Sequence, residues 1–374
     1  MTKAPDVIVV GAGPAGSLAA TLLARAGASV TIIEQSRFPR DKVCGECLSA
    51  LGREVLRRHG LEQFLIDRGA IELTRAALHS VRGTATLDLP APMLGVSRSL
   101  LDGHLLDQAR RAGATIVQPA RAERLLGVEG SSRPALPIRD LSTNDVRDFA
   151  ADVILVASGV RSLLGRTPMP SGDLGIKAHF QNVNADRQAI ALFATANCYG
   201  GIAPIEVDRS GTNRSATNRW NVAFSIPASR IKTAGRDVDA AFRAVVDTNR
   251  SLAKAMRGSD RLSDWLASPL PRYAVSDDWP TNVVPIGNSA AAIEPIGGEG
   301  MGLALRSAEI AVECVLARTQ STLADRYRSL WRTRRFFCRA GAILMSNPTA
   351  ADAGVELLAT MRNQSRSIMS LVGK

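Results

Sequence analysis

The chain has 374 residues, enough for two domains, and its 45% hydrophobic and 22% charged content is ordinary for a globular protein. Its formal charge of +11 would suit a polyanionic partner, but the basic residues are scattered and only 4% of residues are aromatic, which excludes a dedicated nucleic-acid platform. The five cysteines form no disulfide framework, and the sequence shows neither a signal region nor an apolar run of transmembrane length, so a cytoplasmic protein is expected.

The first element is a buried β-strand, Asp6 to Val10, that runs into a G-x-G-x-x-G turn and a helix over 17–26. A second apolar strand follows and ends in Glu34. In this order the glycines allow a tight turn, a close approach to a pyrophosphate and close helix packing, while the acid takes the ribose hydroxyls of a dinucleotide. The helix N-terminus adds unpaired N–H groups for the phosphates. The residues assigned to this site are Gly11, Gly13, Pro14, Ala15, Gly16, Glu34 and Gln35.

Residues 35–49 are polar and too irregular for a strand, and helices are predicted over 50–59 and 61–68. Alternating residues over 71–89, with a turn at Arg82-Gly83, predict an antiparallel hairpin. Residues 97–112 form an amphipathic helix, and a strand covers 115–118. Residues 125–146 are predicted to form a hairpin or an irregular segment. A buried strand is predicted over 151–157 and ends at Ser158-Gly159.

From residue 175 to 227 the alternating pattern returns in four predicted strands, followed by helices over 237–248 and 251–256. A strand over 282–286 and a long helix over 300–317 complete the pattern. The interleaved order predicts an α/β fold, with a Rossmann-type nucleotide-binding domain, a discontinuous antiparallel-sheet substrate domain and a C-terminal helical tail. The predicted domains are 1–70, 97–172 and 278–318 for the first, 71–96 and 173–277 for the second, and 319–374 for the tail.

Two separated glycine signals precede the long helix. One strand ends in Gly287-Asn288, where a ribityl or phosphate group can bind, and the stretch from Pro295 to Gly302 then places four glycines before the helix. Backbone amides there can meet the pyrimidine edge of an isoalloxazine, and the helix dipole would stabilise the negative charge of a reduced flavin. These signals favour FAD over NAD as the dinucleotide.

Three stretches, Gly11–Gly16 with Glu34, Ala151–Gly159 and Val284–Gly302, together resemble the FAD-contacting motifs of the aromatic hydroxylase (group A flavin monooxygenase) superfamily. Within it, Asp41 to Glu46 resembles the geranylgeranyl reductase and menaquinone reductase branch. The resemblance implies that FAD also contacts Lys42, Cys44, Gly45, Arg98, Ser158, Gly159, Gly287, Asn288, Pro295, Gly298, Gly300, Met301 and Gly302. The chain has Gly287-Asn288 where the family usually has Gly-Asp, and Ser158-Gly159 where it often has Asp-Gly; neither change is expected to abolish FAD binding.

Cys44 and Cys47 have the C-x-x-C spacing of a redox disulfide or of half a metal site. A zinc site needs two more ligands, and no second C-x-x-C or H-x₃₋₅-H occurs, so no metal is expected. In the reductase-like relatives the residue at the position of Cys44 lies beside the flavin, which implies that Cys44 and Glu46 line the active site. Whether the two cysteines form a disulfide stays open. His179 is interpreted as a surface or core histidine rather than a pocket residue.

The strand around Tyr199 bears on the substrate. Geranylgeranyl reductases typically show Tyr-x-Trp-x-Phe-Pro there; Tyr199 and Pro204 match, but Gly201 and Ala203 replace the two aromatics. Tyr199 therefore joins Cys44 and Glu46 as a candidate catalytic residue, while the missing aromatics reshape the pocket and count against prenyl reduction. The halogenase signature Trp-x-Trp-x-Ile-Pro is absent, which disfavours halogenation.

The resemblance implies an FAD-dependent oxidoreductase that acts on a hydrophobic small molecule. The loop from Cys44 to Glu46 favours reduction of a carbon–carbon double bond in a prenyl or similar apolar chain. The missing aromatics favour the alternative, a monooxygenase that hydroxylates a phenolic or polyketide-type substrate. A second alternative is a flavin electron carrier without substrate chemistry of its own. Because no second dinucleotide fingerprint is visible, electrons are expected from NAD(P)H that docks transiently or from a separate electron-donor protein.

The tail begins with a basic, amphipathic segment over 327–345. Such a segment can rest on an anionic membrane, which would suit a lipid substrate and make the protein peripheral to the membrane. The favoured interpretation is a helix that packs on the FAD-binding domain with its arginines in water. Asn347-Pro348 ends it, and one or two further helices are predicted over 350–371.

Overall fold

The computed structural model describes residues 5–125, 133–159, 163–164, 172–207 and 218–360. The strands are β1 (Asp6–Val10), β2 (Ser29–Ile33), β3 (Cys47–Leu48), β4 (Ile71–His79), β5 (Thr84–Gly95), β6 (Thr115–Val117), β7 (Ala120–Ala122), β8 (Ala135–Asp140), β9 (Val146–Ala150), β10 (Val153–Val156), β11 (Asp173–Gln181), β12 (Ala189–Thr195), β13 (Cys198–Val207), β14 (Asn218–Pro227), β15 (Asp260–Arg261), β16 (Leu266–Pro269) and β17 (Val283–Pro285). The helices are α1 (Pro14–Arg25), α2 (Ala50–Arg58), α3 (Gln63–Asp67), α4 (Arg98–Arg111), α5 (Ala228–Thr233), α6 (Val238–Val246), α7 (Arg250–Met256), α8 (Gly300–Ala317), α9 (Leu323–Ser346) and α10 (Pro348–Thr360). Parts of the predicted segments 125–146 and 350–371 lie outside the described residues.

A five-stranded parallel sheet forms the first layer, in the order β17-β10-β1-β2-β6. Along β1, Val7 and Val9 point to one face and pack in the main core with α1, α4 and α8. Ile8 and Val10 point to the other face and pack against the small sheet β7-β8-β9. Since both faces are buried, the strands are continuous apolar runs. The predicted Rossmann-type fold is confirmed.

A mixed sheet of nine strands forms the second layer, in the order β15-β11-β14-β13-β12-β4-β5-β3 with β16 beside β11. Neighbouring strands within this sheet are antiparallel, except for β4 and β12, which are parallel. The chain between β4 and β12 passes through the first layer. Along β11, Ile176, Ala178 and Phe180 face a second hydrophobic core that contains α6 and α7. Lys177 and His179 alternate with them and so point to the opposite face. The division into domains stays a prediction.

Four strands lie where none was predicted: β7, β15 and β16 fall between predicted elements, and β3 falls in a segment judged too irregular for a strand. Within residues 35–49, Cys47 and Leu48 form β3 and pair with Gly95 and Leu94 at the end of β5. The sequence expectation was wrong here because a two-residue strand leaves no alternating pattern. Pairing with a distant strand, rather than local propensity, produces it.

The two last described helices meet at Asn347, as the sequence predicts. Helix α9 packs on the first layer through Tyr327, which is fully buried and has its hydroxyl 3.1 Å from the carbonyl oxygens of both Pro285 and Ser307. Within the part of the chain that the structure describes, no helix combines the length and the apolar character needed to cross a bilayer.

Candidate functional site

A groove follows the carboxyl ends of β1 and β2 and continues to the N-terminus of α8. It consists of two adjoining cavities of about 380 and 200 Å³, which share Gly13, Lys42 and Ala157. The crevice outside the carboxyl ends of parallel strands is where doubly wound sheets bind nucleotides. The groove therefore has the place and the elongated form that an extended dinucleotide requires.

At one end of the groove, Glu34 is buried and accepts two backbone hydrogen bonds. Its Oε2 atom is 2.7 Å from the Ala12 nitrogen, and its Oε1 atom is 2.7 Å from the Ser36 nitrogen. These bonds fix the carboxylate beside the glycine turn and next to Gln35. Each oxygen keeps acceptor capacity, so the geometry fits a ribose diol.

The three glycines of the turn perform different tasks. A Cβ on Gly11, where φ is +104°, would lie 2.5 Å from the Ala157 carbonyl oxygen, and a Cβ on Gly16 would lie 1.9 Å from the Gly11 oxygen. For Gly13 the nearest described atom to such a Cβ is Arg98 Nη2, at 4.0 Å. The first and third glycines are therefore tightly packed, while the second leaves room for a pyrophosphate at the start of α1.

Two cations border the same stretch of the groove. Arg98 is buried and donates to the Asp102 carboxylate at 2.8 and 2.7 Å. Lys42 lies against Gly159, where an added Cβ would be 3.0 Å from the lysine Nζ. Burial, together with the charges of Arg98 and Arg40, lowers the pKa of Lys42 to about 8. A diphosphate would relieve this repulsion between cations, so the cluster fits the middle of a dinucleotide.

At the far end, the loop before α8 bends sharply around Gly298. The φ of Gly298 is +65°, and a Cβ there would lie 2.7 Å from Met93 Cε, so a side chain would need both strain and displacement. The Gly287 nitrogen donates to Ser307 Oγ at 2.9 Å, which holds the strand end of β17 against α8. The positive end of the α8 dipole points into this part of the groove, where a reduced flavin would carry negative charge.

Glu46 anchors the loop of residues 41–46 to the second sheet. Its Oε1 atom is 2.9 Å from Lys177 Nζ and 2.8 Å from the Arg98 backbone nitrogen, and its Oε2 atom is 2.7 Å from His179 Nε2. Burial alone would raise the pKa of Glu46, but the hydrogen bond from His179 and the charge of Lys177 lower it. The ionised carboxylate thus joins the loop, the start of α4 and strand β11.

Two residues of β14 extend this anchor. Arg219 Nη2 donates to His179 Nδ1 at 3.0 Å, so the histidine carries its proton on Nε2 and donates it to Glu46. Asn221 Nδ2 donates to the Cys44 carbonyl oxygen at 3.1 Å. Contacts from two neighbouring strands therefore fix the Cys44 loop at the side of the groove. We call Glu46, Lys177, His179, Arg219 and Asn221 the loop anchor.

Asp41, Glu46 and His179 place potential metal-ligand atoms within 4.8 Å of one another. However, Lys177 Nζ lies 3.1 Å from Asp41 Oδ1 and 2.9 Å from Glu46 Oε1. Its ammonium group bridges the two carboxylates and would repel a metal ion at that position. We therefore interpret the cluster as an ion-pair network.

An apolar cavity of about 440 Å³ adjoins the flavin end of the groove. Its volume lies within the usual range of small-molecule sites. Gly201 and Ala203 line it, so the small residues that replace the family's two aromatics enlarge this space. The cavity and the groove share Cys44, Gly45, Cys47, Pro295 and Gly298. A cofactor in the groove would therefore meet a molecule in the cavity.

Tyr199 lines the apolar cavity and points its hydroxyl toward a buried acid. The hydroxyl is 3.3 Å from Glu294 Oε2, and Glu294 also pairs with Arg272 at 2.8 Å and Arg339 at 2.6 Å. Burial and the charge of Glu294 raise the pKa of Tyr199. The phenol is consequently protonated at neutral pH and presents a hydroxyl group at an otherwise apolar wall.

Cys44 and Cys47 are both free thiols in the structure. Cys44 is half-buried at the junction of groove and cavity, and the Arg98 guanidinium lies near its thiol. Cys47 is buried in β3, and burial raises the pKa of its thiol. Both cysteines lie at the junction of groove and cavity, and Cys44 is the more exposed of the two.

The structure brings most of the predicted site residues together. Those that line the groove are Gly11, Gly13, Pro14, Ala15, Glu34, Gln35, Lys42, Cys44, Gly45, Glu46, Arg98, Ser158, Gly159, Gly287, Asn288, Pro295, Gly298, Gly300 and Met301. Gly16 and Gly302 instead allow close helix packing, since a Cβ on Gly302 would lie 2.3 Å from Ser49 Oγ. Tyr199 lines the cavity, whereas Glu46 reaches only the groove, so its catalytic assignment stays a prediction.

Sequence reasoning missed most of the loop anchor. His179 is a core histidine, as interpreted, but its partner is Glu46. The sequence does indicate that Lys177 has an acidic partner. This lysine alternates with apolar residues in a buried strand, and a buried lysine needs an acid. Nothing in the sequence says which acid that is, since Glu46 is 131 residues away.

A dinucleotide groove that ends at a glycine loop and opens into an apolar cavity defines a flavoprotein oxidoreductase. The chain belongs to the family described as FAD binding domain, which matches residues 4–329. It is an FAD-dependent oxidoreductase of the aromatic hydroxylase superfamily.

Curated relatives include reductases. The chain is 29% identical over 355 residues to a menaquinone reductase of Mycobacterium tuberculosis, covering 86% of this chain and 80% of that protein. It is 26% identical over 377 residues to digeranylgeranylglycerophospholipid reductase 2 of Methanopyrus kandleri, covering 91% of this chain and 87% of the relative.

Solved structures share the fold. A triple mutant of the flavin-dependent brominase Bmp2 superposes with a TM-score of 0.80 at 19% identity, covering 99% of this chain and 94% of the other. A geranylgeranyl bacteriochlorophyll reductase-like protein from Thermoplasma acidophilum gives a TM-score of 0.75 at 18% identity, covering 98% and 95%. At these identities the likeness shows the architecture alone.

Proposed function

We propose that the protein uses FAD to reduce a carbon–carbon double bond in a prenyl or similar apolar chain. The cofactor groove opens into an apolar cavity at Cys44 and Gly298, and this junction is the main support for the proposal. Both relatives described above are named as reductases of molecules that carry isoprenoid chains. An apolar chain in the cavity would gain burial of its surface and would have its double bond at the flavin end of the groove.

The groove residues fit FAD in order. Glu34 would take the adenosine ribose, Gly13 with Lys42 and Arg98 the diphosphate, and the loop from Pro295 to Met301 the flavin. Reduced FAD, when bound there, supplies a hydride. The remaining residues orient the chain and provide the proton that completes the reduction.

Addition of hydride to one alkene carbon leaves the other carbon in need of a proton. Cys44 and Tyr199 are the candidate acids at the cavity wall. Loss of a proton from Tyr199 would create a phenolate beside the Glu294 carboxylate, which is unfavourable. A thiolate at Cys44 would instead lie beside the Arg98 guanidinium. We therefore assign proton donation to Cys44, which recovers its proton from solvent, and substrate positioning to Tyr199.

An anaerobic turnover experiment tests this function. Purified holoprotein is reduced with dithionite and mixed with polyprenyl substrates, and products are examined by mass spectrometry. A gain of two hydrogens is the expected result. We expect Cys44→Ala to reduce turnover by about 100-fold, the usual scale of one proton donor, with unchanged FAD content, and Tyr199→Phe to raise KM more than it lowers kcat. Stable FAD reduction without any product would contradict the proposal and favour an electron carrier.

A monooxygenase is the second candidate, because Gly201 and Ala203 leave room for a bulky ring system in the cavity. In that case the same holoprotein would consume O₂ in the presence of a phenolic or polyketide-type substrate and insert one oxygen atom. We further propose that electrons come from NAD(P)H or from a separate reductase. Comparison of FAD reduction rates with NADH, NADPH and a ferredoxin reductase system under anaerobic conditions identifies the donor.

A further inference from the structure

The last two described helices carry an exposed apolar surface. Phe336 and Ile343 on α9 are 68% and 55% exposed, and Leu357 on α10 is 59% exposed. These are the three most exposed large hydrophobic side chains among the described residues. Leu344 joins the two helices, because it lies 3.3 Å from the position of a Cβ on Gly354. Exposed apolar side chains gathered on neighbouring helices indicate a contact surface rather than scattered surface residues.

Basic residues border this surface. Arg332 and Arg335 precede Phe336 by four residues and by one residue, and both are exposed. Neither forms an ion pair with a described carboxylate, whereas Arg339 pairs with Glu294 at 2.6 Å. Between Asp325 and Asp352 the sequence contains six arginines and no acid. We call Arg332, Arg335, Phe336, Ile343 and Leu357 the outer face.

The opposite side of α9 forms part of the support of the apolar cavity. Cys338, Ala342 and Met345 are buried, and a Cβ on the cavity-lining Gly297 would lie 2.8 Å from Cys338 Sγ. Ala342 and Met345 belong to the same hydrophobic cluster as Tyr199. The outer face is therefore separated from the cavity by one helix, a distance of roughly 10 Å.

We propose that the outer face docks on an anionic phospholipid bilayer. Aromatic and aliphatic side chains beside unpaired arginines are the composition of a helix that lies in the membrane interface, with apolar groups below the headgroups and arginines at the phosphates. Contact between two copies of the chain is disfavoured, because a two-fold interface would bring the exposed arginines of α9 against the same arginines of the other copy. Docking does not depend on the proposed function. Only its consequence, uptake of a lipid substrate from the bilayer, rests on that function.

Vesicle co-sedimentation of the FAD-loaded full chain tests the docking. We expect wild-type protein to bind vesicles that contain phosphatidylglycerol and to bind pure phosphatidylcholine vesicles at least about tenfold more weakly, with binding reduced by salt. Arg332→Glu with Arg335→Glu should lower binding by about tenfold or more, and Phe336→Ser with Ile343→Ser should do so as well. The charge-matched control, Arg110→Glu with Arg111→Glu on α4, should stay within about twofold of wild type.

Three outcomes would overturn the docking proposal. The first is equal binding to anionic and neutral vesicles. The second is equal loss in the α4 control, which would mean that net charge alone acts. The third is a wild-type dimer in light scattering that does not bind vesicles and that becomes a monomer in the Phe336→Ser, Ile343→Ser variant. Retained FAD absorbance shows that each variant is folded. Vesicle binding without anaerobic reduction of a detergent-solubilised prenyl substrate would refute the proposed function and leave the docking intact.

Discussion

The cofactor groove and the apolar cavity meet at Cys44 and Gly298, but they are built in different ways. The groove is shaped by backbone: Gly11 and Gly16 bring main-chain atoms so close that a single Cβ would collide with a carbonyl oxygen. The cavity is shaped by side chains of the second sheet, and its size depends on small residues such as Gly201 and Ala203. A backbone wall tolerates almost no substitution, whereas a side-chain wall can be altered one residue at a time. The fold therefore constrains the groove more tightly than the cavity.

The largest expected effect is at the backbone wall. Gly11→Ala would place a Cβ 2.5 Å from the Ala157 oxygen at a φ of +104°, so the turn must move. We expect FAD affinity to fall by more than about 100-fold, in line with the several kcal/mol typical of combined strain and overlap. The ratio of flavin to protein absorbance after purification, followed by titration with FAD, measures it.

Gly27→Ala is the matched control for this change. Gly27 also has a positive φ, +86°, but no described atom lies within 4 Å of an added Cβ. It should lower stability by about 1 kcal/mol through strain alone and should keep FAD. Equal loss of FAD in both variants would show that backbone strain, not the groove wall, controls binding.

The loop anchor joins the loop at the side of the groove to the second sheet and gives the next largest effect. Glu46→Gln leaves Lys177 with one carboxylate partner, and we expect destabilisation of about 3 kcal/mol, as when a buried ion pair is broken. Lys177→Met should cost a similar amount. The free energy of unfolding of the double variant, measured by denaturant titration, should fall by less than the sum of the two single-variant losses. The expected difference is about 1–3 kcal/mol. Strict additivity would contradict the direct pairing of these residues.

This anchor also has a defined pH dependence. Because the pKa of Glu46 is lower in the folded protein than its ordinary value of 4.5, its ion pairs contribute full stability above that pH. The contribution is lost as the pH falls through the lowered folded-state pKa. Unfolding midpoints of wild type and Glu46→Gln measured from pH 7 downward should therefore converge in acid.

The same contrast explains what the sequence could predict. The glycine turn, Glu34 and the loop before α8 are local backbone signals, so spacing alone could predict that these segments form a nucleotide-type groove. The loop anchor was not, because Glu46 and Lys177 come from separate layers and neither position shows its partner. The size of the cavity was only indicated, by Gly201 and Ala203, since its walls combine strands that meet only after folding.

Lys42 contributes a side chain, rather than backbone, to the wall of the groove. With a pKa of about 8, it is protonated below that pH and loses its charge above it. A bound diphosphate would raise this pKa, so FAD affinity should be constant below about pH 8 and should fall by up to about tenfold per pH unit above it. Fluorescence titrations from pH 7 to about 9.5 measure this. Lys42→Met should bind FAD more weakly and without this pH dependence; an unchanged profile would exclude Lys42 from the diphosphate site.

The smallest expected effect lies at the cavity wall. Ala203 lines the cavity but not the groove, so Ala203→Phe should fill part of the cavity and FAD content should match wild type. For a long prenyl substrate we expect KM to rise by about tenfold, because lost burial of one or two methylene groups is worth about 1–2 kcal/mol. A short prenyl substrate is the internal control and should be affected by less than about twofold. If both substrates lose activity equally, or if FAD is lost, the cavity and the groove are not independently built, and the contrast between backbone and side-chain walls fails.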